Sequence, residues 1–148
     1  MLKPILLVED NPNDLELSLT ALAETGLANE IVVTRDGAEA YDYLMRQGKY
    51  LDRAPGNPTV VLLDIKLPKI DGLELLRLIR KNPETAALPV VILTSSREDS
   101  DVASGYEYGT NAYVVKPVAF QEFFKAIQDL GIFWGVLNEP HPNLLRKS

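Results

Sequence analysis

The run Thr59-Val60-Val61-Leu62-Leu63-Asp64-Ile65-Lys66-Leu67-Pro68 decides how the chain is read. Branched and long apolar residues follow one another without alternation, stop at a carboxylate, and are closed by a proline. Such a run, bounded by turn signals, is a strand buried on both faces. Strands of that kind belong to parallel sheets covered by helices, and those sheets bind ligands beyond the carboxyl ends of their strands. Asp64 stands at that end.

Upstream, Ile5-Leu6-Leu7-Val8 is a second buried strand, and it ends in Glu9-Asp10. Asn11 is placed to cap a helix that Pro12 opens. Leu15, Leu19 and Leu22 give that helix one apolar face, and Gly26 stops it. Ile31-Val32-Val33 is a further strand. Asp36-Gly37 turns into a helix whose expected inner face is Ala38, Tyr41, Leu44 and Met45. Gly48 to Pro58 reads as a polar loop, long for such a connection.

Downstream of Asp64, Asp71 is placed to cap a helix, with Glu74 spaced to complete a capping box. Leu75, Leu76 and Ile79 point inward, and Asn82-Pro83 ends the helix. Pro89 to Leu93 is the next buried strand and runs into Thr94-Ser95-Ser96. Val102, Ala103 and Tyr106 mark a short helix that stops at Gly109. Ala112 to Val115 is the fifth strand and ends in Lys116-Pro117. A last helix carries Phe120, Phe123, Ile127, Leu130, Trp134 and Leu137. Strands and helices that alternate in this way predict an α/β domain, a parallel sheet with helices on both faces. Strand order does not follow from the pattern alone.

At 148 residues the chain is one domain with room for a real core. It has no cysteine, which excludes disulfides and thiolate metal sites. A formal net charge of −6 argues against nucleic acid as a partner. No signal peptide and no apolar run of membrane-spanning length is visible, so no membrane partner and a cytoplasmic location are expected.

Parallel strands bring their ends to one edge. There Glu9, Asp10 and Asp64 meet Thr94 and Lys116. Carboxylates crowded together repel one another, and a hard divalent cation with oxygen ligands, Mg2+ above all, relieves that repulsion. A carboxylate beside such an ion, a hydroxyl and a lysine is a setting for phosphoryl transfer. Asp64 is the nucleophile in that reading, and Lys116 and Thr94 steady the phosphoryl oxygens. Read singly, Glu9-Asp10-Asn11 is an ordinary capping turn and Lys116 a solvated lysine; the set of strand ends is what carries the chemistry.

Taken together, these residues resemble the receiver domain of two-component response regulators, over about Lys3 to Leu130. The resemblance implies a flavodoxin-like, doubly wound, five-stranded parallel sheet, with a receiver over 1–130 and a C-terminal helix extension and arm over 131–148. It implies that Asp64 accepts a phosphoryl group from a sensor histidine kinase. It further implies that Glu9, Asp10, Asp64 and the backbone carbonyl of Lys66 hold Mg2+, and that Thr94 and Tyr113 form the switch. The loop at Gly48-Lys49-Tyr50, the run at 106–113 and the Phe-Trp-Gly-Val-Leu ending are similar to single-domain regulators that partner phytochromes, which implies a bacteriophytochrome-type kinase. That subfamily also implies a homodimer through the fourth helix, fifth strand, fifth helix and C-terminal arm. Phe133, Trp134, Val136 and Leu137 extend the last apolar seam and are the expected dimer contacts; the alternative is an arm folded back on its own domain. After Lys116 only a helix and a short tail remain, so output by protein contacts is expected.

Three readings compete with a phosphoacceptor. An aspartyl-nucleophile phosphatase wants a second Asp two residues after the nucleophile, where Lys66 stands. A flavodoxin-like cofactor binder wants a Ser/Thr/Gly-rich loop where Glu9 and Asp10 stand. A receiver used only for docking would have lost one of the pocket groups. Lys66 itself either pairs with Glu9 or points to solvent. His141 lies between prolines and is expected to be solvated.

Overall fold

In the computed structural model the described residues are 3–24, 29–94, 107, 109–110 and 112–115, with the backbone alone at 21, 24, 94 and 112–115. The elements are β1 (Ile5–Val8), α1 (Pro12–Glu24), β2 (Ile31–Thr34), α2 (Gly37–Met45), a 3-10 turn (Gly48–Tyr50), β3 (Val60–Leu63), α3 (Gly72–Lys81), β4 (Val90–Thr94) and β5 (Ala112–Val115). The strands form one sheet in the order β2-β1-β3-β4-β5, every neighbouring pair parallel. This is the order of the flavodoxin-like doubly wound fold, and it sets β1 beside β3. Of the expected helix after β4, Val102, Ala103 and Tyr106 lie outside the described residues, while Glu107 is helical and Gly109 turns the chain at φ 96°; the helix after β5 and the stop at Gly26 lie outside the described residues.

Successive strand residues serve opposite layers, as the pleat requires. Leu6, Val8, Val61, Leu63, Val90 and Ile92 pack with Ala40, Tyr43 and Leu44 of α2 and with Leu75, Leu76 and Ile79 of α3. Ile5, Leu7, Val60, Leu62, Val91 and Leu93 pack with Leu15, Leu19 and Leu22 of α1. Both layers demand apolar contacts, which is why the strands show no polar alternation.

The caps explain where the helices begin. The Asn11 carboxamide oxygen accepts from the backbone N–H of Asn13 and Asp14 at 2.9 and 3.0 Å. Asp36 accepts from Glu39 N–H at 2.7 Å, and Asp71 from Glu74 N–H at 2.9 Å. Each fills donors that a helix start leaves empty. The capping box at α3 is only half formed, because the Glu74 carboxylate turns to Arg77 instead, at 2.7 and 3.0 Å. The inner face of α2 also differs from expectation. Gly37, Ala40, Tyr43 and Leu44 are the buried positions, while Ala38, Tyr41 and Met45 are half-buried. The helix starts at Gly37, and its tight seat there turns the 37–40–44 line inward. Tyr43 joins that face, stacked edge-on to Tyr50 with centroids 5.1 Å apart.

Candidate functional site

Adjacent strands deliver the site. Val8 pairs with Leu63, so Glu9 and Asp64 leave β1 and β3 on the same rung. Backbone bonds continue the ladder past the strand ends: Asp64 N–H donates to Val8 O at 3.2 Å and Glu9 N–H to Thr34 O at 3.0 Å. Glu9 is 1% and Asp64 8% exposed, with Asp10 half-buried beside them. One carboxylate oxygen each from Glu9, Asp10 and Asp64 lie within 4.8 Å of one another. Buried carboxylates at this spacing need positive charge between or beside them. An all-oxygen set from two loops suits a hard divalent cation that keeps some of its waters.

The loop that follows Asp64 is pinned on both sides. Ile65 and Leu67 are buried in the α2/α3 layer, which leaves Lys66 between them exposed. Among the described residues Lys66 enters no ion pair, so of the two sequence readings the structure has the solvent-facing one and no bridge to Glu9. Gly72 sits so close that a Cβ there would lie 2.1 Å from Asp64 O; its own N–H donates to Ile65 O at 2.7 Å. On the other flank a Cβ at Gly37 would lie 1.8 Å from Ile70 O, and Gly37 N–H reaches Pro68 O at 3.4 Å. Lys69, at φ 68°, holds a left-handed backbone and places its ammonium 3.4 Å from Asp36.

Sequence reading missed the β2–α2 turn as part of this site. Arg35 donates from its guanidinium to Asp10 O at 3.1 Å, while its backbone N–H donates to the Glu39 carboxylate at 2.9 Å. Glu39 also meets Lys49 at 2.6 Å and the Tyr50 hydroxyl at 2.8 Å. Burial alone would raise the Glu39 carboxyl; the bonds from Lys49, Arg35 N–H and Tyr50 outweigh it and hold the group below its ordinary value. Tyr50 is shifted up by burial and by its bond to Glu39. The only hint in the sequence was the helical spacing of Asp36 and Glu39.

The other expected residues fall at the same edge or beyond the described part. Thr94 closes β4, the strand beside β3, and pairs with Val115. Tyr113 lies in β5 opposite Ile92. Lys116, Phe133, Trp134, Val136 and Leu137 lie outside the described residues. No helix among the described residues is long and apolar enough to cross a membrane.

The sequence model of the response regulator receiver domain matches residues 5–128. The chain belongs to the response regulator receiver domain family. A receiver is a signalling module of two-component phosphorelays, which is the reading the strand-end residues gave. Among curated relatives, response regulator Rcp1 of Synechocystis sp. is 39% identical over 132 residues, covering 89% of this chain and 88% of its own. The solved bacteriophytochrome response regulator AtBRR is 62% identical with a TM-score of 0.86, covering 94% of this chain and 99% of that one. The bacteriophytochrome response regulator RtBRR is 59% identical with a TM-score of 0.86, covering 99% and 88%. A manganese-bound form of Rcp1 matches this receiver at 39% identity and a TM-score of 0.72, over 89% of this chain and 94% of that one.

Proposed function

We propose that this receiver accepts a phosphoryl group on Asp64 from the phosphohistidine of a sensor kinase, with Mg2+ held by Glu9, Asp10, Asp64 and the Lys66 carbonyl. The observation that carries the reading is the approach of three carboxylate oxygens to within 4.8 Å in a buried pocket at the switch point of the sheet. An Asp64 oxygen attacks phosphorus while the bond from phosphorus to the histidine nitrogen breaks, and that nitrogen leaves with the electron pair. A divalent cation bound there neutralises charge on the phosphoryl oxygens. Asp64 is aimed by the β3 ladder and by Gly72 behind its carbonyl, so little rearrangement precedes attack. Lys116 and Thr94 complete the charge and hydrogen-bond set, and Thr94 with Tyr113 carries the change outward.

The kinase we infer is of bacteriophytochrome type. The support is the similarity to AtBRR and RtBRR over nearly the whole chain. The protein acts as a phosphoacceptor and not as a turnover enzyme, since Lys66 stands where a phosphatase of this chemistry carries its acid/base carboxylate. We place the receiver at 1–130 and an arm at 131–148 that joins two copies through Phe133, Trp134, Val136 and Leu137. Support for the arm is the apolar seam in its sequence.

The test is incubation with Mg2+ and a small acyl-phosphate donor, read by intact mass and by sedimentation. Wild type gains about one phosphoryl group, as a single nucleophile dictates, and Asp64→Asn gains none. A chelator abolishes the adduct. Labelling that survives the chelator or the substitution overturns the assignment, and a monomer in every state overturns the arm.

A further inference from the structure

We propose that Arg35 is a positioning residue for Glu9 and Asp10, and that Glu39 and Tyr50 tie it to the loop after α2. The inference rests on the reading of Glu9, Asp10 and Asp64 as a cation site. It turns on one peptide group. The carbonyl of Asp10 and the N–H of Asn11 belong to the same planar unit. Arg35 donates to that carbonyl at 3.1 Å. The N–H on its other side donates to Glu9 Oε2 at 3.3 Å. Arg35 therefore fixes the plane of the donor that orients the most buried carboxylate of the cluster, and its guanidinium does so through a main-chain carbonyl.

The arginine is in turn held from behind. Its backbone N–H is bonded to Glu39 Oε1, and Glu39 Oε2 receives the Tyr50 hydroxyl and the Lys49 ammonium. Tyr50 belongs to the 3-10 turn that begins the long connection to β3, and its ring packs on Tyr43 in the core. A continuous path thus runs from that connection through Glu39 and Arg35 to the peptide beside Glu9. Residues outside the ligand set that orient ligands are a recognised determinant of metal affinity.

Charge gives the proposal a sign that a bystander role lacks. Arg35 is a cation near a cation site, so its removal on electrostatic grounds alone tightens Mg2+ binding. If Arg35 positions the ligands, its removal weakens binding. Calorimetric titration of Mg2+ into the full chain, at fixed salt and pH, distinguishes the two. We expect Arg35→Ala to bind about tenfold more weakly, the low end for an orienting partner at an exposed position. Arg35→Lys, which keeps both charge and a donor, recovers part of the loss. Tyr50→Phe weakens binding by a smaller factor in the wild-type background and has no effect in the Arg35→Ala background, because the path is already cut.

Arg35→Ala with equal or tighter Mg2+ affinity overturns the proposal. So does a Tyr50→Phe effect that is the same in both backgrounds. Circular dichroism melts establish that each variant is folded, and should Arg35→Ala not fold, wild-type affinity in Tyr50→Phe and Arg35→Gln overturns the proposal by itself. A wild-type protein with no heat of Mg2+ binding overturns the cation-site reading along with it; a wild type that binds while the variants bind equally well overturns only the role of Arg35.

Discussion

Gly72→Ala puts one methyl group against the carbonyl of the phosphoacceptor. The added Cβ would lie 2.1 Å from Asp64 O and 2.7 Å from Ile65 Cα. Ordinary contact begins near 3.4 Å, so the backbone of Asp64 and the start of α3 must separate by about 1.3 Å. Neither neighbour is the end of a flexible side chain, and the hydrogen bond from Gly72 N–H to Ile65 O, 2.7 Å long, opens with them. Overpacking of this kind costs about 1–3 kcal/mol, against a gain of at most about 1 kcal/mol from replacing glycine in a helix. With the full gain subtracted, the net loss is about 0–2 kcal/mol, which lowers Tm by up to about 8 °C for a domain of this size. Function suffers more than stability, because a shift near 1 Å in a reacting group costs on the order of a hundredfold in rate. The assay is the time course of acyl-phosphate labelling by intact mass, at saturating Mg2+, beside a thermal melt. Gly37→Ala is the control: its Cβ would meet Ile70 O at 1.8 Å, six residues after Asp64, so it should destabilise comparably and slow labelling less. A Gly72→Ala protein that labels at the wild-type rate refutes the claim that close approach of α3 aims Asp64.

Arg80 is half-buried and donates to Gly109 O at 2.9 and 2.7 Å and to Leu88 O at 2.6 Å; Arg80→Met should cost about 2–3 kcal/mol in urea unfolding, since these charge-assisted bonds to main-chain carbonyls are lost. The bonds from Lys49, Arg35 N–H and Tyr50 hold the Glu39 carboxyl below its ordinary value, so its stabilising contribution is present at neutral pH and is lost as pH falls through the folded pKa. Unfolding midpoints measured from pH 7 down to about 3 should therefore fall less steeply for Glu39→Gln than for wild type. Lys66 is exposed beside the site, and its ammonium is free to cover a phosphoryl group on Asp64. Lys66→Ala should shorten the lifetime of that group after donor removal, and an unchanged decay would show that the lysine stays in solvent.

Much of this architecture was legible because two layers press on one sheet. Val60 to Leu63 could be apolar without alternation only if both faces were covered, and the two side-chain clusters show that they are. Asp64 and the Glu9-Asp10 pair were legible because a charge that ends such a strand must leave it at the ligand-binding edge. The caps at Asn11, Asp36 and Asp71 followed from local chemistry. Strand order did not, because pairing partners are chosen by crossover geometry that no local signal encodes. The face of α2 was legible in part: Leu44 is buried and Tyr41 and Met45 pack at the edge of the core, but Gly37 carries no side chain to advertise its burial, and its role is the space it leaves for Ile70. Arg35 was invisible for a related reason. Its partner is the backbone of Asp10, and a main-chain carbonyl has no residue type to read.

The pairing of Val8 with Leu63 makes the sheet a ruler. One rung of a strand is about 3.3 Å, roughly the width of an oxygen contact, so one residue added to β1 or β3 would carry its acid a full ligand radius beyond its neighbour's. The same slip would turn every leucine and valine of that strand toward the opposite layer. Length changes in those two strands are thus penalised twice over. A chemical requirement at the tip and a packing requirement along the shaft are set by one number, the count of residues between the turn and the acid.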